Sequence, residues 1–470
     1  MAPIVTQAKR LLVGRPFSND RLARERLPKR LAFPVFSADT LSSLAYAPDQ
    51  IILTLAVAGS AAVTVSPWVG MGVLAIMGLV LSAHRSVATE FPEGGGDFAV
   101  AHTNLGRRAG QIVGASLTID YVLTVAVSTS QAARYVAGAA GLSDVQHLLV
   151  TLGLIALLTL VNLRGVRQAT YIVTIPVALF VGSVGLLIVV GAVQAFMGEL
   201  STAPSAAYEV VPSNHAGAGL TAIGGTLLVI RALSQGCVAI SGIKSITNAV
   251  PNFKPPKAPN ATATMVVAVV LAMVFLGGVV WLARWAGVVV VEDPATQLRI
   301  DGAAPTADFQ QVPVLGQVAQ AVAPGMPWVY LVITVVTALI LCIAASTAFN
   351  GFPTLASVLA VKSYVPRFFA ARGDRLAYSN GIIALALAAA VTVVITDGSV
   401  TRLIHMYLVG VFVSFTCGQA GLSRHFHARM RVSPTAPERR MYARKSRAAQ
   451  ASAIVLALLL IFVVVTQAGS

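Results

Sequence analysis

Apolar runs close to the length a helix needs to cross a bilayer, about 20 residues, recur along the whole chain. The clearest are 149–163, 174–196, 263–282, 329–345 and 452–466. Backbone in hydrocarbon has no water to satisfy its N–H and C=O groups, so such runs must be helices that bond within themselves. Composition agrees: 56% of the 470 residues are hydrophobic and 11% are charged, against roughly a quarter in an average soluble domain. A soluble enzyme is excluded. The fold class implied is an all-α polytopic membrane protein.

Apolar runs broken by Gly, Pro and charge predict eleven spans, at 36–59, 66–89, 110–138, 146–163, 169–197, 219–249, 262–284, 326–350, 378–396, 400–421 and 449–467. The net charge is +15, which in a soluble protein would point to nucleic acid. Here it reports orientation. With the N-terminus inside, 27 of the 33 Lys and Arg fall on inward segments, as the positive-inside rule requires. The expectation is a multi-pass protein of the plasma (inner) membrane with a cytoplasmic N-terminus, partnered by the lipid bilayer and not by nucleic acid. The basic segment 1–35 lacks the apolar core of a signal peptide and is read as a cytoplasmic tail. It precedes a ten-helix core at 36–421, a basic cytoplasmic loop at 422–448 and an eleventh transmembrane helix at 449–470. The loop at 286–311, with Glu292, Asp293, Asp301 and Asp308, is read as a solvated acidic loop. Cys237, Cys342 and Cys417 have no metal or disulfide spacing and are read as packed thiols. No cofactor and no resident metal are expected.

Three ionisable groups, Asp39, Asp120 and Lys244, fall at membrane depth, where burial is costly unless the group has a partner or a function. The first span opens on a Ser-, Thr- and Asp-rich stretch and carries Pro48, which removes a donor and clashes with the carbonyl four residues back. An unwound segment is predicted there. The sixth span repeats the feature between Gly236 and Gly242. First and sixth spans correspond if spans one to five and six to ten are inverted repeats, and paired interruptions then point to a central site. In the third span Asp120, Thr124 and Ser128 share one helical face. Oxygen ligands of this kind suit a hard cation or the amine of an organic substrate. No nucleotide-binding motif and no catalytic constellation are present, so the chain is read as a non-enzyme driven by ion gradients. His405 is read as a polar cap at a helix end, and Gly94–Gly96 as a flexible inner turn.

The segment 36–47 (FSADTLSSLAYA) resembles the first-helix signature of Kup/KimA-type potassium transporters, a branch of the amino acid–polyamine–organocation superfamily. So do 91–98 (FPEGGGDF), Asp120-Tyr121, 241–253, 349–357 and 372–376, in the same order, over about residues 30–425. The resemblance implies a five-plus-five inverted-repeat core with broken helices 1 and 6, and K⁺ uptake coupled to H⁺. By position it places cation-binding groups on Asp39, Tyr46, Asp120, Tyr121, Ser128, Ser241 (a Thr in the family) and, as a weaker match, Tyr407. Lys244 stands where the family has a Glu, and Ser346 and Gly351 where it has an Asn and an Asp. The family's twelfth helix and cytosolic C-terminal domain are not matched, which weakens the expectation of a homodimer.

Lys244 has two placements: its ammonium sits at the cation site beside Asp39 or Asp120, as a coupling or gating group, or it snorkels to the headgroups. Alternative functions are an amino acid or polyamine permease taking a small cationic or zwitterionic substrate, and a degenerate non-transporting paralogue.

Overall fold

The structure, a computed structural model, describes residues 28–164, 170–212, 222–305, 309–370 and 379–468. The first crossing is divided into α1 (Lys29–Ser42) and α2 (Ala47–Ala56). After it come α3 (Ser66–Glu90), a short α4 (Gly96–Leu105), α5 (Arg107–Ala140), α6 (Asp144–Leu163) and α7 (Thr170–Met197). The second half holds α8 (Ala222–Gly236), α9 (Ile243–Asn248), α10 (Lys257–Trp285), a short α11 (Val314–Val322) and α12 (Pro327–Val361). It ends with α13 (Ser379–Ile395), α14 (Val400–Val432) and α15 (Ala436–Ala468). Among the described residues nine helices are long and apolar enough to cross a membrane, with α8 and α9 counted as one. The divided first crossing and the shorter α13 bring the crossings to the eleven expected. A two-residue antiparallel pairing of β1 (Glu209–Val210) with β2 (Leu298–Arg299) ties the connection after α7 to the acidic loop.

Two boundaries differ from those expected. Residues 1–27 of the basic tail lie outside the described residues, and α1 already begins at Lys29. The stretch 422–448, expected as a loop, is helical except at 433–435. Arg, Lys and Ala are strong helix formers, so α14 and α15 continue beyond their apolar parts. They also keep an inner side to bury. Leu422, Phe426 and Ala449 pack with Val87 and Val100, while Ser423 and Ser446 each donate a hydroxyl hydrogen bond to the other's carbonyl, at 3.1 and 3.0 Å. Arg424, Arg431, Arg440 and Arg444 stay exposed.

Both predicted interruptions are present, each as a 3₁₀ turn and not as an extended stretch: Ser43–Ala45 and Cys237–Ile240. Local hydroxyls hold them. Ser42 Oγ donates to the Asp39 carbonyl (3.0 Å), Ser43 Oγ to that of Thr40 (2.8 Å) and Ser241 Oγ to that of Val238 (2.8 Å). These bonds take carbonyls that a continuous helix would use, as short hydroxyl side chains do. Pro48 then falls in the first turn of α2, where a missing N–H costs nothing. The two turns face each other. Ser43 Oγ lies 3.5 Å from the Ala239 carbonyl, and Gly242 rests on the backbone of Asp39 and Thr40, in space a Cβ would overlap.

The far half of the first crossing is anchored separately. Asp49 in α2 accepts from the Val314 backbone N–H at the start of α11 (2.6 Å) and from Gln131 Nε2 of α5 (3.2 Å). Gln131 Nε2 and Tyr135 OH also donate to the Ala45 carbonyl, at 2.6 and 3.2 Å. One buried carboxylate thus joins α2, α5 and α11.

Because its neighbour is backbone and cannot rotate away, Gly242→Ala forces the two breaks apart. The expected cost is about 1–3 kcal/mol, read as a lowered melting temperature of the detergent-purified protein. An unchanged melting temperature would show that the breaks do not touch.

Candidate functional site

Five crossings bring polar groups to one depth beside the facing breaks. Asp39 comes from α1, Asp120, Tyr121 and Thr124 from α5, and Lys244 and Ser245 from α9, with Ser241 just before it; Thr347 and Ala348 come from α12. Together they line a cavity of about 10 Å³, room for one water-sized sphere. The fifth crossing, α14, stands behind with Tyr407, Ser414 and Phe415.

Asp39, Asp120 and Lys244 are all buried, at 6%, 5% and 3% exposure. Lys244 Nζ lies 3.2 Å from Asp120 Oδ2, donates to Ser414 Oγ at 2.9 Å and sits 4.6 Å from the centroid of the Phe415 ring. The ammonium is therefore held by a carboxylate, a hydroxyl and a π face. It does not snorkel. The cause is local: α9 starts at Ile243 directly after the break, so Lys244 stands in its first turn, between α5 and α14. Ser245, the next residue, donates its hydroxyl to Asp39 Oδ2. Asp120 Oδ1 has no protein hydrogen-bond partner. With both carboxylates ionised, the cluster carries −1.

The remaining expected residues fall in two groups. Tyr121 and Ser241 line the cavity, and Tyr121 OH accepts from Asn248 Nδ2 at 3.1 Å. Tyr407 is buried behind them with its hydroxyl 3.1 Å from Thr124 Oγ1. The hydroxyls of Tyr46 and Tyr407 both approach Ser241. Tyr46 and Ser128 are buried without reaching the cavity wall.

Several motif residues act by shape. Gly351 faces the Tyr121 ring, where a Cβ would come within 2.6 Å. Ser346 exchanges hydrogen bonds with Asn162, at 3.1 and 3.2 Å. The Gly94–Gly96 turn is docked, not free: its φ angles are +87°, +86° and +42°, Gly94 packs on Pro251 and Gly96 on Asn248. Left-handed backbone in such close contact demands glycine. The motif at 372–376 lies outside the described residues. The cysteines are free thiols.

Ser245, Thr347, Ala348, Ser414 and Phe415 do not stand out in the sequence. Only Ser414 carries a legible signal, since it stands seven residues after Tyr407 and so on the same helical face.

Breaking a buried ion pair by removing one partner costs about 3–5 kcal/mol. Lys244→Met and Asp120→Asn should each lower thermal stability strongly, and the double variant should recover part of the loss, with a coupling energy of about 1–3 kcal/mol. Strictly additive losses in the double-mutant cycle would show that the two side chains do not pair.

Over 415 residues the chain is 36% identical to the potassium transporter KimA of Bacillus subtilis (strain 168); the match covers 88% of this chain and 64% of that protein. The chain thus spans under two thirds of that relative's length. Two crystal structures of the Eremococcus coleocola manganese transporter, one of a mutant and one with an aromatic bis-isothiourea compound, align at 13% identity. Each alignment covers 93% of this chain and 94% of theirs, with TM-scores of 0.41 and 0.39. The sequence profile described as amino acid permease matches residues 32–469. This multi-pass membrane protein belongs to the amino acid permease family.

Proposed function

We propose that this chain is a secondary active transporter that carries K⁺ together with protons by alternating access. The observation that carries the reading is the pair of carboxylates, Asp39 and Asp120, on the wall of a cavity of about 10 Å³ between two opposed helix breaks. K⁺ has about the radius of a water molecule, and carboxylate and hydroxyl oxygens suit it. An amino acid is far larger than this space. The sequence resemblance and the name of the Bacillus relative support the same cargo.

In this reading Asp39 and Asp120 supply the charge, and Tyr121, Thr124, Ser241 and Ser245 supply neutral oxygens. Tyr46, Ser128 and Tyr407 come within ligand reach as the segments around the breaks shift. Lys244 is a tethered competitor: K⁺ reaches Asp120 by displacing the ammonium toward Ser414 and Phe415. The N-terminus faces the cytoplasm of a bacterial-type inner membrane, because the basic segments gather on that side.

One observation favours a second cargo. An organic ammonium already sits on Asp120, in the form of Lys244, so an ammonium ion, of a size this cavity holds, would find the same partners.

In liposomes carrying the full chain, radiolabelled Rb⁺ counterflow should be readily measured and should fall at least tenfold in Asp39→Asn. Lys244→Ala should lower the half-saturating Rb⁺ concentration by about tenfold, equivalent to about 1.4 kcal/mol. No Rb⁺ counterflow, with uptake of an amine or amino acid from a panel, would replace K⁺ as the cargo. Unchanged Rb⁺ kinetics in Lys244→Ala and Lys244→Glu would remove the lysine from the site.

A further inference from the structure

We propose that Tyr121 is a lid over the cavity, and that Asn248 and Gly351 are positioning residues that hold it shut. The inference deepens the transport reading and rests on it.

The cavity has two ends, and the polar groups around it tell them apart. Ser241, Lys244, Ser245 and Asn248 follow one another from the edge of the break to the last residue of α9. At the Ser241 end stand Tyr46 and Tyr407, each 2% exposed, and both hydroxyls approach Ser241. Thr124 joins the same end through its contact with the Tyr407 hydroxyl at 3.1 Å. At the Asn248 end stands Tyr121, itself part of the cavity wall. Tyr121, Asn248 and Gly351 are all half-buried. One end is therefore packed behind two buried rings, while the other rests on a single half-buried one.

That single ring is held at its tip from two sides. Its hydroxyl accepts from Asn248 Nδ2 at 3.1 Å. On α12, a Cβ at Gly351 would fall 2.6 Å from ring atom Cε1 and 2.7 Å from both Cζ and the hydroxyl oxygen. The tip thus occupies the place where any other residue would put its side chain.

Asn248 is in turn keyed into the turn that joins α3 to α4. Its side-chain oxygen lies against Gly96, in space a Cβ would overlap, and Pro251 lies against Gly94 in the same way. Gly96 and Gly94 have left-handed φ angles, +42° and +87°, which other residues rarely adopt. The glycine turn fixes the end of α9, and through it the donor that holds the lid. The two glycine seats differ in what they demand. Gly96 meets a short side chain on constrained backbone, whereas Gly351 lies within a helix and meets the far end of a rotatable side chain. Alanine is a better helix former than glycine, so a methyl group at 351 swings the ring off its seat and spares the fold.

The test reads access to the cavity in the full chain, purified in detergent. Ala348 lines the cavity and is 1% exposed. In a chain whose native cysteines are replaced by alanine, Ala348→Cys reports access through its rate of reaction with 2-aminoethyl methanethiosulfonate, and Ser241→Cys, on the same wall, is a second reporter. Reaction should be slow with the ring in place and at least tenfold faster in Gly351→Ala and in Asn248→Ala. In a Tyr121→Ala background, where the lid is gone, reaction should be fast and Gly351→Ala should change it by less than twofold. Cys237, fully buried and kept as the sole thiol in a parallel sample, should stay unreactive throughout. An unchanged rate in either Gly351→Ala or Asn248→Ala overturns the proposal. So does a further rise with Gly351→Ala in the Tyr121→Ala background, which would place the effect of Gly351 outside the ring. Parallel exposure of Cys237 with a lowered melting temperature assigns the three residues to packing and overturns it too. The thiol rates need no cargo: absent Rb⁺ counterflow in the unmodified protein would count against the cargo reading alone, and the rates would then decide the lid.

Discussion

Charge inside an apolar bundle is the constraint from which the rest of this structure follows. An ion taken out of water costs several kcal/mol even after the surroundings relax, and a bilayer offers no nearby solvent to share the load. Asp120 meets that cost with the Lys244 ammonium, and the ammonium in turn with Ser414 and the face of Phe415. Asp39 meets it with the Ser245 hydroxyl. Every one of these partners comes from a helix remote in sequence. The charges thereby fix how α1, α5, α9 and α14 sit around one point, and repacking any of them exposes an uncompensated ion.

Broken helices are what make such partners reachable. The break brings the start of α9 against the backbone of Asp39 and Thr40, and from there its adjacent residues Lys244 and Ser245 reach two different carboxylates. The approach is close enough that Gly242 has backbone as its neighbour.

Much of this was legible in the residues. The spans follow from runs of apolar side chains, since hydropathy is a local property. The breaks follow from Ser, Thr, Gly and Pro where an apolar helix should run. Asp39, Asp120 and Lys244 stand out because charge at that depth needs a reason. Which partner each would find was not legible, because Asp120–Lys244 and Asp39–Ser245 depend on the rotation of helices about their own axes. Only packing brings them together. The helical course of 422–448 was hidden for another reason: a basic composition reads as solvated whether the backbone is coil or an amphipathic helix.

The two halves of the first crossing are held by different kinds of contact, and that difference locates the pivot. Asp49 pins α2 to the α11 backbone and to Gln131, and the Ala45 carbonyl is bound by Gln131 and Tyr135. α1 touches the sixth crossing chiefly through the Asp39–Ser245 hydroxyl bond and the bare backbone face at Gly242. A hydroxyl can exchange a carboxylate for an incoming cation or for another acceptor at little net cost, whereas a buried carboxylate deprived of a backbone N–H loses a charge-assisted bond outright. In the proposed transport cycle, movement that opens the cavity would therefore separate α1 from α9 sooner than it frees α2. Its pivot in that cycle would be Ser43–Ala45, where the i→i−4 ladder is already interrupted by a 3₁₀ turn. Asp39 would then travel with the moving half while Asp120 and Lys244 stay with the frame. The distance between the two carboxylates, and with it the field felt by a bound cation, would become the variable that such a change controls.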